Sequence, residues 1–141
     1  MKHRTVLDTN VYASALMKPA SNPGKALKKI LEDPSYEMVV SQSILEEVQK
    51  VLFYPKVRKY IHGTDEELMH WIQAIGLVAH VVTSKTQAEV IIEEDPDDDK
   101  FILAALEGKA KMIISGDSHL LKLKKYHGFM IITPQEFITG Y

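Results

Sequence analysis

Cysteine is absent from all 141 residues, which excludes disulfides and thiolate metal sites and leaves the chain indifferent to the redox state of its surroundings. Any metal would have to bind to oxygen or imidazole. Long apolar runs are missing too. The basic opening "MKHRTVLDTN" reaches an aspartate after three apolar-leaning residues, too few for the core of a signal peptide, and no later run approaches a membrane span. These absences predict a cytoplasmic protein with no membrane association. A global positive field is also lacking, because the formal net charge is −2, so a nucleic-acid partner would need local basic patches. There is no internal repeat and no compositionally biased run.

What is present fits one globular domain spanning 1–141. With 45% hydrophobic residues, a chain of this length can bury roughly 68–70% of its unfolded surface in a single core. Thr5–Leu7 reads as a short strand, Val11–Met17 as a helix stopped near Pro19, and "ASNPG" as a turn before a helix, "KALKKILED", with Ala26, Leu27, Ile30 and Leu31 at helical spacing. A second apolar run at Glu37–Val40 precedes a helix over 43–53 that Ser41 can cap and Pro55 closes. The stretch from Thr64 opens with a cap and sets Leu68, Trp71, Ile72 and Ile75 on one face. Residues 78 to 92 alternate too weakly to assign. The acidic "EEDPDDD" then gives way to a helix, "KFILAALEG", ended by Gly108. Met112–Ile114 is an apolar strand, followed by "SGD", a short helix "SHLLKL", a last strand near Met130–Ile132 and a helical turn after Pro134.

Short, non-alternating apolar strands separated by helices predict an α/β fold: a central, mainly parallel sheet covered on both faces, a three-layer α/β/α arrangement. Ligand sites in such sheets lie at the carboxyl ends of the strands. Asp8 ends the first strand and Asp117 follows a later one, so a parallel sheet would bring both to one edge. In the helix from Ser43, with residues about 100° apart, Glu47 lies beside the apolar stripe of Ile44, Leu45, Val48, Val51 and Leu52, while Glu46 points away. The same wheel run back from Phe101, Ile102, Ala105 and Leu106 puts Asp98 on the core-facing side, with Asp97 and Asp99 on its flanks. Its place near a helix start also favours a carboxylate.

Four converging carboxylates repel one another, so the site must raise some of their pKa values or recruit a cation. An all-oxygen set selects Mg²⁺ or Mn²⁺, and two such ions could activate a water and stabilise the leaving oxygen of a phosphodiester. Asn10, Thr9 and Ser115 would orient those groups. Each piece also has a plain structural reading. Asp8 and Asp117 could be strand-to-helix caps, Glu47 a helix-surface residue, and the aspartate run a solvated turn.

The chain resembles the PIN-domain ribonucleases (PilT N-terminus-like), in the branch of toxins from toxin–antitoxin systems. The pieces that carry the resemblance are "VLDTNV" at 6–11, "SQSILEEV" at 41–48, "DPDDDKFILAAL" at 95–106 and "IISGDSHLL" at 113–121, in the family's order and at its approximate spacing. The resemblance implies that the acidic quartet falls on Asp8, Glu47, Asp98 and Asp117, binds Mg²⁺ or Mn²⁺ and positions water for attack on an RNA phosphodiester, with Asp8, Asp98 and Asp117 as the expected ligands and Glu47 completing the shell or aligning water. Asp99 could share or take over the role of Asp98. His119 stands where many relatives carry a further acid. An antitoxin partner that blocks the cleft and a homodimer are also implied, with the helices around Ile30 and Trp71 offering apolar surface.

Candidate phosphate contacts are Lys25, Lys28 and Lys29; Lys56, Arg58 and Lys59; and Lys122, Lys124 and Lys125, though lysines on helix faces commonly serve solubility. An aspartyl-phosphate phosphatase would want a second acid where Asn10 stands. A phospho-acceptor receiver would want an acidic pair after the first strand and a lysine after the last. From outside the enzymes, a catalytically inactive RNA- or protein-binding scaffold is the alternative.

Overall fold

The computed structural model describes residues 2–83, 99–123, 125–126 and 128–141; for Asp99, Lys125 and Tyr126 it describes the backbone alone. Strand β1 (His3–Leu7) lies at the middle of the sheet, with β2 (Tyr36–Ser41) and then β3 (His80–Val82) on one side. On its other side come β4 (Met112–Ile114) and β6 (Phe129–Ile132). These five strands are all parallel, and β5 (Lys125–Tyr126) adds an antiparallel edge on β6. The sheet is mainly parallel, as the apolar runs predict. Val6, Leu7, Val39, Val40, Ile113 and Ile114 are fully buried, because strands covered by helices on both faces have no solvent side.

Helices α1 (Thr9–Met17) and α2 (Asn22–Glu32) lead from β1 to β2, and α3 (Gln42–Leu52), α4 (Pro55–Arg58) and α5 (Asp65–Val78) from β2 to β3. Helix α6 (Asp99–Glu107) precedes β4, α7 (Ser118–Leu121) follows it, and α8 (Pro134–Gly140) follows β6. Helix α2 packs on α1 and β2, α3 packs on α1, and α7 packs on β6; the right-handed rule for parallel crossovers sets the helices leading to β2 and β3 on the face opposite α6 and α7. Helix α6 packs on β1, β2 and β4, and α2 lies between α1 and α8. This is the three-layer α/β/α arrangement. Among the described residues no helix is long and apolar enough to cross a membrane.

Local chemistry accounts for the helix starts. Ser21 and Ser41 accept hydrogen bonds from the amides of Gly24 and Ile44, and Thr64 with Glu67 and Thr133 with Glu136 form reciprocal capping boxes. The structure departs from the sequence reading at several ends. Helix α1 starts at Thr9, directly on Asp8, and α2 starts at Asn22, so "NPG" is a first helical turn rather than a loop; Pro23 is suited to a position where no amide hydrogen bond is required. Strand β3 falls in the segment left unassigned, and Ile30 is buried while Trp71 meets Tyr12 edge-on at 6.4 Å, so both residues serve the core.

Gly108 does not end α6 by adopting the left-handed conformation. That conformation belongs to Lys109, at φ 52°, with Ala110 N–H donating to Ala105 O at 2.9 Å and Lys109 N–H to Leu106 O at 3.3 Å, the paired bonds of a Schellman close. Gly108 is required for a different reason, since a Cβ there would lie 2.6 Å from Cγ1 of the fully buried Val39. Lys109→Gly is therefore expected to stabilise the protein by about 0.5–1 kcal/mol, the strain relieved exceeding the added chain entropy, as read by urea denaturation.

Candidate active site

The strand order reverses at β1: the chain moves outward through β2 and β3, then crosses back to β4 on the other side. The carboxyl ends of β1 and β4 are therefore the crevice in which an open α/β sheet binds its ligands. Asp8 stands at the first of these ends, where its backbone N–H donates to Ile114 O at 3.0 Å, and Ser115-Gly116-Asp117 follow the second.

Asp8 is 3% exposed. The fully buried Ser115 donates its hydroxyl to Asp8 Oδ2 at 2.7 Å, and the Asn10 amide donates to Oδ1 at 3.3 Å. The same Ser115 Oγ accepts the Asp117 amide at 2.9 Å, and Asp117 Oδ1 accepts the His119 amide at 2.7 Å. One serine thus ties together the two acids that the parallel sheet brings to its edge. Both aspartates also cap helices, α1 and α7, so the structural reading of each is true as far as it goes.

Capping does not account for the burial of Asp8. Removal from water raises its carboxyl above the usual carboxylate range; the Ser115 and Asn10 hydrogen bonds lower it again, and the negative charges of Asp117 and Glu47 push it upward. Three of the four expected acids thus act on one point. Among the described residues no cationic side chain forms an ion pair with Asp8.

Glu47 is half-buried and Glu46 exposed, as the helical wheel requires. Glu47 forms an ion pair with Lys100 at the start of α6, which brings α3 and α6 together at this edge. Lys100 was not legible as a partner, because nothing in the sequence links it to a glutamate 53 positions earlier. Asp98 lies outside the described residues, as does the side chain of Asp99. Among the described residues no three acidic or histidine groups form a cluster able to hold a metal ion.

Of the supporting residues, Ser115 makes the bonds given above, Asn10 is exposed with its amide on Asp8, and Thr9 is buried. Thr9 Oγ1 and His119 Nδ1 are buried without a hydrogen-bond partner. Lys25, Lys56 and Lys122 are exposed. The Arg58 guanidinium donates to Ile61 O, Gly63 O and Asp65 Oδ1 at 2.6–2.8 Å, which holds the α4–α5 loop. Lys29 is likewise engaged, its ammonium 4.8 Å from the Phe137 ring centre.

A family model described as "PIN domain" matches residues 4–119, which takes in Asp8, Glu47, α6 and the Ser115–Asp117 turn. The chain belongs to the PIN-domain family. PIN domains are generally nucleases. This PIN domain is 36% identical over 149 aligned positions to the uncharacterized protein MJ1680 of Methanocaldococcus jannaschii, with all of this chain and 93% of that one covered. Its fold is similar to a chain in the crystal structure of VapBC2 from Rickettsia felis bound to a DNA fragment from its promoter, at a TM-score of 0.56 and 13% identity, covering 92% of this chain and 98% of that one.

Proposed function

We propose that this PIN domain is a metal-dependent ribonuclease that hydrolyses phosphodiester bonds of single-stranded RNA, and that it is the toxin of a type II toxin–antitoxin pair. The observation that carries the reading is Asp8: a buried carboxyl that forms no ion pair with a cationic side chain among the described residues, held in place by Ser115, with Asp117 and Glu47 close enough to raise its pKa further. A site that concentrates negative charge in this way gains most from a bound cation.

The donor chemistry fits a hard divalent ion. The groups available are carboxylates, and the unpaired hydroxyl of Thr9, next to Asp8 in the chain, supplies a further oxygen. Asp8, Asp117 and Asp98 would hold Mg²⁺ or Mn²⁺, with Asp99 as the substitute for Asp98. When bound, the ion would supply Lewis-acid polarisation of the phosphate and a lowered pKa for water. The residues do the rest: Ser115 fixes Asp8 relative to the Asp117 backbone, and Glu47, tethered by Lys100, aligns or accepts a proton from the attacking water. Lys25, Lys56 and Lys122 are the exposed lysines proposed to meet RNA phosphates.

Family membership supports the nuclease class. The likeness in fold to a chain of a VapBC complex supports an antitoxin partner that covers this edge. Self-association as a homodimer is proposed on the family resemblance alone. Purified protein is expected to cut an unstructured RNA with Mn²⁺ or Mg²⁺ and to stop when the metal is chelated. Glu47→Gln and Asp98→Asn should each lower the rate by at least about 100-fold, corresponding to some 3 kcal/mol of transition-state stabilisation. Full cleavage in excess chelator would reject the mechanism.

A further inference from the structure

The acidic edge opens on one side into a groove that the proposed chemistry leaves unused. A cavity of about 310 Å³ begins beside the acids, between Asn10, whose amide is bonded to Asp8, and Gly116, which separates Ser115 from Asp117. Ser14 and Pro23 are shared with a second cavity of about 580 Å³, which continues past Met17 and Lys18 to the ring of Tyr60. From Asn10 to Met17 the groove follows α1 for about 10 Å at the helical rise.

Its lining is selective. Among the described residues no carboxylate borders either cavity, although the chain carries 19 acidic residues and a net negative charge. The cations collect at the far end: Lys18 is in the wall, and the Lys59 ammonium stands 5.0 Å from the Tyr60 ring centre. Tyr60 is 57% exposed, an aromatic face with room for a partner ring. A groove that begins at residues flanking the acids, shows no negative side chain in its described lining and ends on an aromatic beside lysines complements a polyanion bearing flat, unpaired rings.

We propose that this groove binds the single strand of RNA flanking the scissile phosphate, with one base stacked on Tyr60 and the backbone phosphate neutralised by Lys18. The proposal rests on the nuclease reading and names its substrate as unpaired RNA, since a base held in a duplex cannot offer its face to Tyr60. The occupant is a nucleic-acid strand and not a second copy of this chain, because the groove begins at Asn10 and Gly116, chain neighbours of the acidic site, and carries cations at its end.

The test is the affinity of the full chain for a fluorescently labelled oligouridylate, measured by anisotropy in chelator so that nothing is cut. Tyr60→Ala should weaken binding roughly 5- to 150-fold, the range measured for loss of one stacked base, and Tyr60→Phe should restore it. Lys18→Ala should weaken it as well and flatten the salt dependence by about 0.7 in the log–log slope. Affinity for oligouridylate unchanged in Tyr60→Ala would overturn the groove. So would a duplex that binds as tightly with the same dependence on Tyr60, or unchanged RNA binding accompanied by altered self-association, which would give the groove to a second copy of the chain. Hydrolysis of bis(p-nitrophenyl) phosphate by the wild-type protein with Mn²⁺ reads the acids separately. A protein that hydrolyses this small diester but binds RNA independently of Tyr60 loses the groove alone, whereas one that fails to hydrolyse it and also shows no Tyr60-dependent RNA binding loses the nuclease reading with it.

Discussion

Asp8→Asn is expected to abolish metal-dependent cleavage while making the metal-free protein more stable. The two effects share a cause. Asp8 is almost fully buried, and its carboxyl is raised first by that burial and then by the charges of Asp117 and Glu47, so ionising it costs folding free energy. An amide keeps the shape and can still accept the Asn10 N–H on its oxygen, while its NH2 turns to donate to Ser115 Oγ in place of the bond that hydroxyl donates to Asp8; it has no charge to bury. At neutral pH the variant should gain about 1–2 kcal/mol, or some 3–8 °C in Tm.

The pH dependence gives the sign. Because the folded-state pKa lies above the unfolded value near 3.9, the neutral form is the one that favours folding. The Asp8 contribution is intact below the unfolded value and is lost as pH rises through the folded one. Wild type and variant should therefore converge in acid and separate toward neutrality. Adding Mn²⁺ should reverse the order: a cation at a hundredfold its dissociation constant stabilises the wild type by about 2.7 kcal/mol, a gain the variant forfeits. Catalysis should fall on the order of 1,000-fold or more, the share of several kcal/mol in the transition state. A variant that melts lower than the wild type at neutral pH in chelator would contradict this account of Asp8.

The edge was legible because parallel strands and the helical period are long-range rules that act through local patterns. Thr5–Leu7 and Met112–Ile114 read as buried strands from composition alone, and two such strands running in parallel bring Asp8 and Asp117 to one end. The wheel separated Glu47 from Glu46 because burial follows the stripe, as the half-buried and exposed states of the two residues show. Strand β3 was not legible: three residues at the sheet's margin, one of them exposed, are too few for a period. The fate of basic residues was equally hidden, because whether a guanidinium meets a phosphate or three partners of its own chain depends on contacts across a loop. Arg58 binds the α4–α5 loop and Lys29 the Phe137 ring, partners that no local pattern announces. Gly108 shows the same limit for glycine, where a helix-end signal was correct in position and mistaken in cause.

Gly24→Ala is where the local rule and the tertiary contact oppose each other most directly. Gly24 lies within the first turns of α2, and helix propensity alone predicts that alanine would stabilise the protein by about 0.5–1 kcal/mol. The added Cβ, however, would lie 2.1 Å from the Pro19 carbonyl oxygen, 2.6 Å from its carbon and 2.8 Å from its Cα. These are backbone atoms and cannot rotate away, so either α2 or the turn before it must shift. That turn is held by Ser21, whose hydroxyl donates to Lys18 O at 2.6 Å and accepts the Gly24 amide at 3.3 Å, and a shift strains both bonds. Overpacking of this kind costs about 1–3 kcal/mol, and a weakened cap adds about 1 kcal/mol. The net expectation is a loss of about 2 kcal/mol by urea denaturation, against no loss for Gly140→Ala, where a Cβ meets nothing within 4 Å. A stabilised Gly24→Ala protein would mean that α1 and α2 can separate freely at Pro19. Because Lys18, Ser21 and Pro23 also wall the groove beside the acids, the same substitution should weaken RNA binding without touching a carboxylate.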